Sequence, residues 1–308
     1  MDMIVKMLFG SHLYGTATPA SDRDYKGIAL PTWKEVCTGR IPKHVEHSST
    51  GNPNGKNTSE DVDTEIFSLH QFFKLALEGQ TVAMDMLHAP VGMLSKNSVL
   101  WDAIRMDRAK FYSKNIHSFL GYAIGQAAKY GVKGSRLNDA QAVLNWLRTQ
   151  AGKLKDCDLS TFPTGEHIRV VEQGFDVCGK QLQFTCKVDY LADIVSKFYT
   201  NYGERARQAA KDEGIDWKAI SHAFRAAYQM KELFSEGTIT FPRPEAAFLT
   251  EIKTGQRKYL DVAPILEDLI DEVKGLRDRS ELPEQPDRDY WDGYLIFVVE
   301  QHIRPKGV

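Results

Sequence analysis

The chain has 308 residues, with 39 Lys+Arg against 41 Asp+Glu and a formal net charge of −2. A basic field spread over the whole molecule is thereby excluded, and any polyanion site must be local. Hydrophobic residues make up 42% and charged residues 26%, which fits a globular chain long enough for one large domain or two ordinary ones. Cys37, Cys157, Cys178 and Cys186 contain no CxxC pair. They support neither a disulfide framework nor a zinc site, and they fit a reducing compartment. No apolar run approaches the roughly 18 residues that span a bilayer, and the start of the chain lacks the basic-then-apolar pattern of a signal peptide. The expectation is a cytoplasmic protein with no membrane segment.

In chain order, Met3–Phe9 is a short apolar strand that stops at Gly10. Asp24–Leu30 is a second strand, ended by Pro31. Lys43–Ser48 and Asp61–Phe67 are two more, separated by a polar Gly/Asn/Pro loop. The periodicity changes at Ser68, where Ser68-Leu69-His70-Gln71 has the form of a capping box leading into a helix that ends at Gly79. From there the chain is mostly helical, with helices predicted over Lys114–Tyr130, Ala140–Ala151, Val188–Lys211, Trp217–Phe234, Pro244–Lys253, Val262–Leu276 and Trp291–Ile303. Phe175–Cys186 is the exception, two short apolar runs around Cys-Gly-Lys that predict a small hairpin. Strands early and helices later give an α+β fold: a small mixed sheet with flanking helices, then a mostly helical C-terminal body. The expected organisation is a first domain over 1–110 and a helical domain over 111–308, with the hairpin near 175–186 as an insertion.

The first group of chemistry-bearing residues lies in Phe9–Gly27, FGSHLYGTATPASDRDYKG. Gly10-Ser11 follows the first strand directly, and Asp22 and Asp24 open the next. Residues two apart on a strand share a face about 6.6 Å apart, so both carboxylates can reach one divalent ion or a close pair. Mg²⁺ suits such a site because it takes carboxylate oxygen and shares its other positions with water and phosphate. Gly10 permits close backbone approach, and the Ser11 hydroxyl can donate to a phosphate oxygen. A bare Asp-x-Asp is common by chance; its specificity here comes from the combination of strand, Gly-Ser, a spacer, Asp-x-Asp and a second strand.

This combination resembles the signature of the DNA polymerase beta nucleotidyltransferase superfamily. The resemblance implies that three acids on one sheet hold two Mg²⁺ ions (Mn²⁺ being possible) that carry an NTP, whose α-phosphorus is attacked by a hydroxyl with loss of pyrophosphate. The third acid falls within Glu60–Phe67, where Asp63 and Glu65 share one face and Val62, Thr64 and Ile66 the other. Asp63 is preferred because its surroundings resemble one branch of the superfamily, and Glu65 is the fallback. In this reading Asp22, Asp24 and Asp63 are the metal-binding and catalytic residues, and Gly10 and Ser11 hold phosphates.

The second group lies in Asp216–Phe234, DWKAISHAFRAAYQMKELF. Lys218, His222 and Arg225 fall at i, i+4 and i+7, within roughly 60° of one another on one helix face, while Ile220, Phe224, Tyr228 and Leu233 occupy the other. A cationic stripe facing an acidic metal cluster suits an NTP, whose triphosphate charge is shared between metals and basic side chains. His222 can donate to phosphate or ribose or contact the base. The stripe, followed by Gly237, Phe241-Pro242-Arg243-Pro244-Glu245 and Gly255, resembles the helical region of the RNA repair-associated polymerase-beta-like nucleotidyltransferases of bacteria and phages. The resemblance covers residues 5–90 and 214–275, not the centre at 130–212. It implies an RNA 3′ end as acceptor. Transfer to a protein or small molecule is the alternative that the near-neutral charge leaves open, and a non-catalytic nucleotide- or RNA-binding module is another. Two weaker features are Lys129–Arg136, a Gly-punctuated basic turn able to touch phosphates but read first as a solvated loop between helices, and Tyr199, Tyr202, Arg205 and Arg207, which have the composition of a strand-binding groove although core packing of the tyrosines is the preferred reading. Which NTP is used and the oligomeric state are not legible.

Overall fold

The computed structural model of the chain describes residues 2–48, 61–115, 121, 125, 134–209 and 215–305. Two compact units emerge. The first gathers Met1–Ile124, Trp217–Gln256 and Leu269–Val308, and the second Gly125–Asp216 and Arg257–Asp268.

The first unit opens with β1 (Asp2–Leu8), whose Ile4, Val5 and Met7 are buried, and a one-turn helix α1 (Gly10–Tyr14) closed by Gly15 in the left-handed region. Strand β2 (Arg23–Leu30) returns antiparallel to β1, pairing Tyr25 with Leu8. Helix α2 (Trp33–Thr38) begins at a capping box in which Thr32 and Glu35 satisfy each other's backbone amides. Then come β3 (His44–Ser48), β4 (Val62–Ser68), α3 (Leu69–Leu77), α4 (Thr81–His88), β5 (Leu94–Lys96) and α5 (Val99–Met106). The sheet order is β3-β4-β2-β1-β5. Only β2 and β4 run parallel; the other pairs are antiparallel, so the sheet is mixed as expected. Ser68 caps α3 by accepting from the Gln71 amide, which turns the chain from strand to helix at the predicted residue.

That helix buries Leu69, Phe72, Phe73 and Ala76 on one stripe. Phe72 meets Trp101 edge to face, and Phe73 meets Trp291, whose indole stacks on Phe111 at 3.9 Å.

The second unit holds α6 (Gly134–Leu147), a three-stranded antiparallel sheet of β6 (Ile168–Val171), β7 (Gly174–Val177) and β8 (Lys180–Gln183), and α7 (Val188–Ala209). The hairpin expected near 175–186 is β7–β8. Its two-residue turn, Cys178-Gly179, has positive φ at both positions, 54° and 82°, the backbone that a tight hairpin demands. Ala140, Val143, Leu144 and Leu147 line one face of α6 and pack with Val188, Leu191 and Val195 of α7; Phe162 stacks on Phe175 at 3.8 Å in the same core.

Helices α8 (Trp217–Glu236) and α9 (Ala246–Lys253) belong to the first unit; α10 (Tyr259–Arg279) and α11 (Arg288–Val298) follow. The predicted helix over Lys114–Tyr130 falls almost wholly outside the described residues. No helix among the described residues is long and apolar enough to cross a membrane.

Candidate active site

The site is built where β1 ends and β2 begins. Gly10 has φ +59°, and a Cβ placed on it would lie 2.2 Å from Asp24 Oδ2. Glycine is required there twice over, by the backbone angle and by the carboxylate against it. The Phe9 amide donates to the Asp24 carbonyl at 2.8 Å. Between them, a turn closed by Ser21 N–H to Thr18 O at 2.9 Å and a contact of 3.1 Å between His12 Nε2 and the Asp22 carbonyl fix the approach to Asp22.

The parallel register of β2 and β4 sets Asp63 beside Asp24. Asp22, Asp24 and Asp63 are each half-buried, and each offers a carboxylate oxygen within 4.8 Å of the others. Two residues further along, the same register sets Glu65 beside Lys26, and the two form an ion pair. Glu65 is thus turned to a partner of its own. Burial and then the Asp22 charge push the Asp24 carboxyl up, with Asp63 adding to the effect and Lys26 and Lys218 opposing it. Such a cluster of like charges is relieved by a cation. Three hard oxygen donors, Asp24 on β2, Asp63 on the adjacent β4 and Asp22 one residue before β2 begins, fit Mg²⁺ or Mn²⁺.

Facing this floor, a cavity of about 300 Å³ is lined by Gly10, Ser11, Asp22 and Asp24 from the sheet side and by Lys218, His222 and Arg225 from α8. The structure therefore brings every sequence-selected site residue into one neighbourhood, Asp63 joining through the carboxylate cluster. On the far side of α8, Ile220, Phe224 and Leu233 are buried, as the helical pattern requires.

Arg225 differs from Lys218. Its guanidinium carbon lies 3.9 Å from the Tyr14 ring centroid, and its Nη1 donates to Asp85 Oδ2 at 2.9 Å and to Gln229 Oε1 at 3.2 Å. Asp85 is fully buried and also accepts from Tyr14 Oη at 2.8 Å and Gln229 Nε2 at 2.7 Å. Burial pushes this carboxyl up, while Arg225 and the two hydrogen bonds pull it back. Every neighbour is a donor, which is the environment of an ionised carboxylate. Burial likewise lifts the Tyr14 phenol well above its ordinary range and keeps it protonated.

The segment Phe241–Glu245 locks the same junction. Arg243 is buried, pairs with Glu232 and Glu245, and donates its amide to the Tyr14 carbonyl at 3.1 Å. Ser221 Oγ donates to the Leu249 carbonyl at 2.8 Å and ties α8 to α9.

Sequence reasoning missed Asp85, Gln229, Lys26 and Lys253, all of which take part in the site or its support. A signal existed for Asp85, a single acid in the apolar run Ala83-Met84-Asp85-Met86-Leu87, and for Gln229, one turn beyond Arg225. Of the weaker features, residues 129–133 of the basic turn and the side chains of Tyr202, Arg205 and Arg207 lie outside the described residues. Tyr199 packs against the apolar core of the second unit.

The family described as RlaP, the RNA repair pathway DNA polymerase beta family, matches residues 2–150. The chain is also similar along nearly its whole length to an uncharacterized 38.9 kDa protein from the nrdC-mobD intergenic region of Enterobacteria phage T4, with 36% identity over 98% of both chains. No solved structure matches the chain.

Proposed function

The chain belongs to the RNA repair pathway DNA polymerase beta family, and from that premise we propose that it moves a nucleoside monophosphate from an NTP to the 3′ hydroxyl of an RNA. The observation that carries this reading is the convergence of Asp22, Asp24 and Asp63 within 4.8 Å, beside a cavity that also receives Lys218 and His222. Asp22 and Asp24 would hold two divalent ions, Mg²⁺ or Mn²⁺, and Asp63 one of them. When bound, the ions neutralise triphosphate charge and acidify the attacking hydroxyl.

The chain's own residues do the rest. Gly10 leaves room for a phosphate against the backbone, and the Ser11 hydroxyl donates to it. A carboxylate oxygen of Asp63 takes the proton from the attacking hydroxyl as its oxygen bonds to the α-phosphorus. The bond from that phosphorus to the bridging oxygen breaks, and its electron pair leaves with pyrophosphate. Lys218 and His222 steady the departing charge. Arg225, anchored on Asp85, completes the wall. In this reading residues 1–110 form the nucleotidyltransferase domain and 111–308 the helical domain with a small β-hairpin insertion near 175–186, and the protein works in the cytoplasm.

Transfer to a protein or small molecule is the second reading, favoured by the net charge of −2, since a long RNA footprint calls for a large basic face. The test is incubation with α-labelled NTP, Mg²⁺ and RNA carrying either a free or a blocked 3′ end. Label on the free-ended RNA alone, with one pyrophosphate per nucleotide, is the expected result. Label on protein or a small acceptor selects the second reading, and no label on any acceptor contradicts both.

A further inference from the structure

We propose that a second cavity, at the far end of the β2–β4 pair from the carboxylates, holds one unpaired nucleobase of the acceptor RNA, an assignment that rests on the nucleotidyl-transfer reading. The parallel register sets Asp24 beside Asp63 near one end of that pair and Ala29 beside Ser68 at the other. The steps from Asp24 to Ala29 cover roughly 16 Å at about 3.3 Å per residue. Helices α2 and α3 begin just beyond that far end. Residues of both helices and of the end of α11 line a cavity of about 390 Å³. All of them belong to the first unit, and none lines the catalytic cavity. The volume is that of a small-ligand site.

The lining has the parts that a base requires. Leu295 and Val299 give it apolar walls, and the half-buried Trp33 gives it an aromatic one. Trp101, Trp146 and Trp291 each meet another ring of the protein, whereas Trp33 meets none among the described residues. The Nδ1 atom of His70, another lining residue, is buried without a hydrogen-bond partner. Such an atom costs stability until something satisfies it. The hydrogen-bonding edge of a base can do so while its face packs on the indole. The backbone is reshaped at the same place. The Arg304 amide reaches the Val299 carbonyl at 2.8 Å and closes a π turn over Val299–Ile303. Residues five apart lie roughly 140° apart around an α-helix. The wider π turn brings Val299 and Arg304 round to one cavity.

Charge decides where the base comes from. Glu300 and Arg304 supply one acid and one base to the lining, and burial lowers the pKa of His70, favouring its neutral form. A free nucleoside triphosphate therefore meets no net positive field here. A base carried by a strand whose 3′ end is held at the carboxylates needs none, because it arrives at high effective concentration. Stacking also suits a chain of net charge −2, since it grips RNA without a broad basic face.

The test is the affinity of the full chain, with Mg²⁺ and a non-hydrolysable NTP, for a dye-labelled single-stranded RNA in which one abasic site is moved stepwise from the 3′ end. Wild-type protein is expected to lose roughly tenfold in affinity at one abasic position several nucleotides from that end, as for one stacked base, and little at its neighbours. Trp33→Ala should bind the intact RNA roughly tenfold more weakly, lose the effect of that abasic position and keep wild-type affinity for the NTP. Trp33→Phe should restore most of the loss. His70→Ala should show the same pattern and serves as the independent variant if Trp33→Ala fails to fold. An abasic scan unchanged in both Ala variants would overturn the site. So would a Trp33→Ala protein that keeps its RNA affinity but binds the four NMPs more weakly, or changes from dimer to monomer in sedimentation; these outcomes assign the cavity to a free nucleotide or to a second copy of the chain. A wild-type protein that transfers no label yet shows the Trp33-dependent position sinks the transfer reading alone. Transfer to RNA with a scan indifferent to Trp33 and His70 sinks the base site alone.

Discussion

The core of the second unit is apolar throughout its helix-on-sheet contact: Val143, Leu144, Phe162, Phe175, Leu182 and Leu191 fill it. The first unit buries Phe72, Trp101 and Trp291 in the same way, yet it also buries Asp85, His88, Ser221, Gln229 and Arg243. Among the described residues the second unit buries a single charged side chain, Glu267. Burying charge costs several kcal/mol per ion and is recovered only with full pairing, so a fold that needed stability alone would not gather so much of it in one place. Of the first unit's buried polar residues, Ser221 lines the candidate cavity, Asp85 and Gln229 hold Arg225 in its wall, and Arg243 donates its amide to the carbonyl of Tyr14, another lining residue. The comparison therefore separates residues that make the protein fold from residues that shape the candidate cavity.

Substitutions can break that separation. The largest effect on transfer is expected from Asp24→Asn or Asp63→Asn, a loss on the order of 10³-fold, with a melting temperature that stays level or rises because carboxylate repulsion is relieved. A substantial drop in melting temperature would make these acids structural. Gly10→Ala comes next, since its methyl collides with Asp24 Oδ2 at a backbone angle that alanine adopts with strain. It should cost about 1–3 kcal/mol and roughly 10–100-fold in transfer rate, read from denaturant unfolding and initial rates. Asp85→Ala strands Arg225 and should destabilise the first unit by about 3–5 kcal/mol. Asp85→Asn, closer in shape, should raise the KM for NTP more than it lowers kcat. The smallest effect on transfer belongs to Phe175→Ala, which should cost about 3–5 kcal/mol in unfolding free energy while NTP affinity at permissive temperature stays at wild type.

The pH dependence sharpens the picture from the acidic side. Asp24 holds its proton more tightly in the folded protein than in the unfolded chain, because of burial and Asp22. Without metal, its contribution to stability is therefore present below the ordinary carboxylate range and is lost as pH rises through the raised folded value. Divalent cations compete with that proton, so Mg²⁺ should raise the melting temperature more at neutral pH than in mild acid, as thermal unfolding at the two pH values would register. In Asp24→Asn the pH difference should shrink.

Much of the floor was legible because it is local. Strand alternation placed Asp22 with Asp24 and Asp63 with Glu65, and Ser68 marked the end of the sheet. What alternation could not do was choose between Asp63 and Glu65, which share a face. The choice depends on the register of a parallel pair joined across a long connection, and the ion pair between Lys26 and Glu65 reveals it only in three dimensions. The cationic wall was legible as a helix face, but the anchor of Arg225 was not, since Asp85 lies 140 residues away in sequence. Lys253 sits at the end of a helix whose orientation comes from the Arg243 and Ser221 contacts, none of them periodic. The strand Ile168–Val171 escaped because both its inner residues, Arg169 and Val170, face solvent and break the expected alternation.

The central claim is that side chains from two parallel strands and a downstream helix act on one metal–nucleotide complex. Titration of Mn²⁺, followed by its electron paramagnetic resonance signal with and without a non-hydrolysable NTP, tests it most directly. Wild-type protein should bind Mn²⁺ more tightly when the nucleotide is present. Asp63→Asn should lose most of the binding in both conditions, Glu65→Gln should retain it, and Lys218→Met should lose only the enhancement by nucleotide. Mn²⁺ binding that is the same in wild type and Asp63→Asn, or indifferent to nucleotide in wild type, would contradict the account.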